Sequence, residues 1–150
     1  MKVLLVEDEA PKRNHICRFL QALPSLPVIS FARSVNSTLD ELETNLPDIM
    51  ILDMSLPTFD IDELDDGGRP QGFGGIEVLR YMALSEIICP VVVLTGYDAF
   101  KREGETIDLA HIRDELLSEF HDFLIAVLYF SSAYEDWREQ LTNLLTPYNK

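Results

Sequence analysis

Residues 49–57 read IMILDMSLP. The four apolar residues Ile49 to Leu52 follow a turn signal at Leu46, Pro47 and Asp48, and they suit a strand covered on both faces. Asp53 comes directly after them. On this stretch alone such a carboxylate reads first as a turn former or a helix cap, so the rest of the chain decides its role.

Similar apolar runs stand at 2–6, 91–94 and 124–129, with a weaker one at 28–32. Their length and β-branched content predict strands. Between them lie residues at helical spacing: Ile16, Phe19, Leu20 and Leu23; Ile76, Leu79 and Met82; Trp137, Leu141, Leu144 and Leu145. Each set offers one apolar face to a sheet, and Trp137 is expected in the core because it shares a stripe with Leu141. Ser132 and Glu135 have the spacing of a capping box at the start of the last helix. Strand and helix alternate throughout, which implies parallel strands with helices on both faces and a ligand site outside the carboxyl ends of the strands.

The 150 residues predict one domain, with no linker and no internal repeat. The formal charge of -14, from 26 acidic and 12 basic residues, disfavours direct contact with nucleic acid or an anionic membrane surface. Cys17 and Cys89 have no metal-binding spacing and read as reduced, buried thiols. The N-terminus lacks a signal-peptide run and no stretch approaches a membrane span, so a soluble, cytoplasmic protein is expected.

Two segments exceed ordinary connection lengths. Residues 58–74 are acidic and glycine-rich and read as a loop insertion. Asp60, Asp62, Asp65 and Asp66 invite a calcium reading, but neither Asp60 nor Asp62 as first ligand gives both the glycine at position six and the glutamate at position twelve of a calcium loop. A second extended loop is expected at about 97–107.

The strand ends carry the chemistry. Glu7 and Asp8 follow the first strand, Asp53 the third, and Thr95 and Gly96 the fourth. Three carboxylates on one edge repel one another unless one holds a proton or a hard cation neutralises them. Oxygen donors of this kind suit magnesium.

With these residues in view, VLLVEDE, ILDMSLP and VVVLTG resemble the receiver domain of two-component response regulators. The resemblance covers nearly the whole chain and implies a flavodoxin-like doubly wound α/β fold, a five-stranded parallel sheet of order 2-1-3-4-5. It assigns Asp53 as phospho-acceptor, and Asp8 and Asp53 as direct Mg2+ ligands. Glu7 assists through water, and the backbone carbonyl of Ser55 is a third protein ligand. Thr95 becomes the switch hydroxyl, and Gly96 the small residue that leaves the phosphoryl group access. The partners it implies are a histidine kinase or phosphotransfer protein and an unknown output protein, with a homodimer possible through an aromatic region at Tyr129, Phe130, Tyr134 and Trp137.

One position departs from the family. Its receivers carry a lysine at the end of the fifth strand, usually before proline, and alignment places Leu128 there, followed by Tyr129, with Ile125 at the switch aromatic three residues earlier. Lys101, Arg102 and Arg69, in the two long segments, are the candidate replacements. The leading expectation is a stand-alone receiver phosphorylated on Asp53. The alternative is a pseudo-receiver, a phosphorylation-independent interaction module. A magnesium-dependent phosphohydrolase of another α/β family fits less well, because Glu7, Asp8 and Glu9 stand where a DxD nucleophile motif belongs.

Overall fold

A computed structural model describes residues 1–60 and 73–148. The elements are β1 (Lys2–Val6), α1 (Ala10–Gln21), β2 (Val28–Ala32), α2 (Val35–Thr44), β3 (Ile49–Leu52), α3 (Gly74–Leu84), β4 (Val91–Thr95), β5 (Ala99–Arg102), β6 (Glu105–Asp108), α4 (Leu109–Glu119), β7 (Leu124–Tyr129) and α5 (Asp136–Leu145). The main sheet is parallel in the order β2-β1-β3-β4-β7, which is the expected 2-1-3-4-5 once the two added strands are counted.

The apolar runs are explained by the two faces they serve. Leu4, Val6, Met50, Leu52, Val91 and Val93 point into one core, which Val78, Leu79, Met82, Ile112 and Leu116 of α3 and α4 complete. Val3, Leu5, Ile49, Ile51, Val92 and Leu94 point into the other, against Ile16 and Leu20 of α1 and Trp137, Leu141 and Leu145 of α5. A strand with helices on both sides has no solvent face, so polar alternation disappears. Trp137 is buried as expected.

The helix starts differ in how they are held. Ser34 accepts from the Ser37 backbone N–H at 3.1 Å and Asp108 accepts from His111 N–H at 2.8 Å, so α2 and α4 carry side-chain caps. The capping box expected at Ser132 and Glu135 does not form: α5 begins at Asp136 after Glu135, which makes no side-chain cap. Ser131 takes up the turn instead, its hydroxyl accepting from Ala133 and Tyr134 N–H at 3.1 and 3.3 Å.

The stretch expected as an extended loop at about 97–107 holds the antiparallel hairpin β5–β6. Glu103 and Gly104 join its strands with φ of 53° and 80°, the two positive values that a primed two-residue turn requires. Phe100 roots it in the core against Phe73 and Tyr97. In the segment expected as an insertion at 58–74, residues 61–72, including Asp62, Asp65, Asp66 and Arg69, lie outside the described residues. Gly74 already belongs to α3, and Asp60 accepts from the Ser37 hydroxyl at 2.9 Å. Cys89 is buried, which pushes its thiol up to about 12, while Cys17 is half-buried. Among the described residues no helix is long and apolar enough to cross a membrane.

Candidate functional site

Parallel register sets the site. Val6 lies beside Leu52, and Leu52 beside Val93, so the residues that leave β1, β3 and β4 emerge along one edge. Glu7, Asp8 and Asp53 are each buried, and one carboxylate oxygen of each lies within 4.8 Å of the others. Thr95 is fully buried beside them, and its hydroxyl accepts from Tyr97 N–H at 3.3 Å. Glu7 and Asp53 face a cleft of about 400 Å³ whose walls also include Gly96, Tyr97, Tyr129 and Phe130.

The backbone around Asp53 is clamped from beneath by a glycine pair. A Cβ on Gly74 would lie 2.2 Å from the Leu56 carbonyl oxygen, and one on Gly75 only 2.4 Å from that of Asp53. Gly75 N–H donates to the Met54 carbonyl at 3.0 Å. Helix α3 therefore docks its first turn directly on the peptides that bracket Ser55, an approach only glycine allows. Sequence reading took Gly74 as the end of an insertion. The signal was a Gly-Gly pair ahead of a helical apolar pattern.

The residue that sequence reading missed entirely is Lys12, in the first turn of α1. Its ammonium lies 2.6 Å from Glu7 Oε1 and 3.1 Å from Asp53 Oδ1, and donates to the Leu94 carbonyl at 2.7 Å. A cation at a helix N-terminus opposes the macrodipole by up to about 1 kcal/mol. A carboxylate at about 3 Å attracts it by roughly 5 kcal/mol at an effective dielectric near 20, so the acids decide where it points. Burial acts to lower the Lys12 pKa, yet Asp53 and Glu7 outweigh it and hold the ammonium above its ordinary value. Glu7 moves the other way: burial, with Asp53 adding to it against the pull of Lys12, pushes its carboxyl up to about 7.

Of the candidate cations named from sequence, the two in the described residues do not line the cleft. Arg102 makes a two-pronged ion pair with Glu115 of α4 at 2.9 and 3.0 Å, Lys101 is exposed on β5, and Arg69 lies outside the described residues. Leu128, aligned with the family lysine, packs in the α1–α5 core with Trp137 and Leu141. At the cleft wall stands Phe130, two residues on and therefore on the same side of the strand. Leu124 pairs with Val91 but Ala126 with Val92, so Ile125 is an extra, partly exposed residue in β7.

No family model matches the chain. It is 24% identical over 148 residues to the Detocs response regulatory protein DtcB of Enterobacter cloacae, covering 97% of this chain and 99% of that protein. Among solved structures, the response regulator domain of Thermotoga maritima CheB superposes with a TM-score of 0.67 at 16% identity, covering 98% of this chain and 94% of that one. The fold is that of a response-regulator receiver domain. Thermotoga maritima TrrA, a response regulator solved in complex with Mg2+ and BeF, matches this chain with a TM-score of 0.64 at 21% identity, over 96% of this chain and 98% of TrrA. In sequence the chain is similar to response regulatory proteins, and its acidic cluster lies at the carboxyl edge of the sheet.

Proposed function

We propose that this receiver accepts a phosphoryl group on Asp53 from a phosphohistidine of a partner kinase or phosphotransfer protein, and passes on its state through protein contact. The observation that carries the reading is the buried Asp53 carboxylate, set between two further acids and an ammonium and open to a cleft beside Thr95. Asp53 forms a bond from its carboxylate oxygen to phosphorus as the bond from phosphorus to the imidazole nitrogen breaks, and the imidazole leaves with the electron pair.

The donor set fits a divalent cation: carboxylate oxygens of Glu7, Asp8 and Asp53, all buried, lie within 4.8 Å of one another, and hard oxygen donors of this kind suit Mg2+. Glu7, Asp8, Asp53 and the backbone carbonyl of Ser55 are the residues proposed to hold Mg2+. When bound, Mg2+ supplies positive charge against the phosphoryl oxygens. The glycine-clamped turn holds Asp53 in line, and Thr95, one residue before Gly96, offers a hydroxyl to the incoming group. Gly96 leaves the approach open, with nothing within 4 Å of a Cβ placed there.

Intact mass measured after treatment with acetyl phosphate and Mg2+ tests the reading. One phosphoryl adduct, lost in Asp53→Asn, is expected; no adduct refutes it. A phosphorylation-independent interaction module is the second reading, and one observation favours it: Lys12 already neutralises Asp53 without metal or phosphate.

A further inference from the structure

We propose that Lys12, reaching into the cleft from the first turn of α1, is the cation that binds the phosphoryl group on Asp53. This rests on the reading of Asp53 as the phospho-acceptor.

The geometry of the ammonium carries the inference. It donates to Asp53 Oδ1 and the Leu94 carbonyl at 3.1 and 2.7 Å, and pairs as an ion with Glu7 Oε1 at 2.6 Å. When the Asp53 oxygen becomes an ester, its charge moves outward onto the phosphoryl oxygens, one bond further from the carboxyl. The Leu94 bond anchors the ammonium to β4, next to Thr95, so the shift asked of Lys12 is a hydrogen bond passing from Asp53 Oδ1 to a phosphoryl oxygen. Its four-carbon stem allows that movement. Phe130 stands on the other side, its ring centroid 5.7 Å from Nζ, and contributes a face to the cation. Arg13, the neighbouring cation, turns to the Glu7 and Asp8 backbone carbonyls at 3.3 and 3.4 Å. In the resting site Lys12 also occupies oxygens that a divalent ion would use, so metal and ammonium compete for Glu7 until phosphorylation supplies new acceptors.

The experiment compares wild type, Lys12→Arg, Lys12→Met and the double variant Lys12→Met/Phe130→Lys. The initial rate of phosphoryl transfer from acetyl phosphate at saturating Mg2+ is followed alongside Mg2+ titration by Trp137 fluorescence. Lys12→Met keeps the stem and should bind Mg2+ as tightly as wild type or tighter, since a competing charge is gone. Its labelling should fall roughly 10- to 100-fold, the loss of one charge-assisted hydrogen bond. Lys12→Arg should lie between, and the double variant should regain rate from the strand end. Labelling of Lys12→Met at the wild-type rate overturns the inference while Asp53 phosphorylation stands. Lost Mg2+ binding in Lys12→Met, with labelling equally low in Lys12→Arg and the double variant, overturns it in favour of a structural counter-ion. A wild type that takes no phosphate, or takes it equally in Asp53→Asn, overturns the receiver reading and this inference with it.

Discussion

Gly75→Ala separates positional precision at Asp53 from stability. On helix propensity alone the change gains up to about 1 kcal/mol. The new Cβ would lie 2.4 Å from the Asp53 carbonyl oxygen and 2.9 Å from Met54 Cα, both backbone atoms with no flexible end to swing aside. Restoring ordinary contact requires a displacement of about 1 Å, and overpacking of that kind costs typically 1–3 kcal/mol. The net loss of stability is therefore about 0–2 kcal/mol, or several degrees in melting temperature, and the domain stays folded. The displaced atoms are the peptide of the nucleophile itself and the turn that carries Ser55, where an error of about 1 Å can reduce a rate about 100-fold. The assay is the initial rate of acetyl phosphate labelling at saturating Mg2+, read beside urea denaturation. Gly96→Ala is the control, since a Cβ there meets nothing within 4 Å; it should melt like wild type. A Gly75→Ala protein that labels at the wild-type rate, or whose rate loss is matched by the unfolded fraction, refutes the claim that α3 sets the geometry of Asp53.

Glu7 has a folded pKa of about 7 against an ordinary 4.5, so between those values the folded chain binds more protons than the unfolded one and stability falls as pH rises. In EDTA, wild type should lose up to about 3 kcal/mol relative to Glu7→Gln between pH 4.5 and 7.5 by urea denaturation, and parallel curves exclude the shift. Asp8→Asn should abolish the effect of Mg2+ on both Trp137 fluorescence and melting temperature, and an unchanged titration removes Asp8 from the ligand set. Arg102→Ala breaks an exposed pair with Glu115, so it should leave melting temperature and labelling close to wild type; a labelling defect would return Arg102 to the cleft.

The sequence by itself determined the layered parallel fold, because runs such as Ile49 to Leu52 are apolar at every position and only a strand buried on both faces needs that. It also determined that Glu7, Asp8, Asp53 and Thr95 share an edge, since each stands just past or at the end of such a run. Local patterning could not tell that the stretch after Thr95 pairs into a hairpin, because β6 is mostly exposed and its register depends on one anchored ring, Phe100. Nor could it place the cation. Lys12 is 41 positions from Asp53 and 82 from Leu94, and Phe130, not Leu128, stands at the cleft wall. Which charge neutralises a buried carboxylate depends on distance in space, where a lysine on a packed helix serves as well as one on the sheet, and only the tertiary structure supplies that distance.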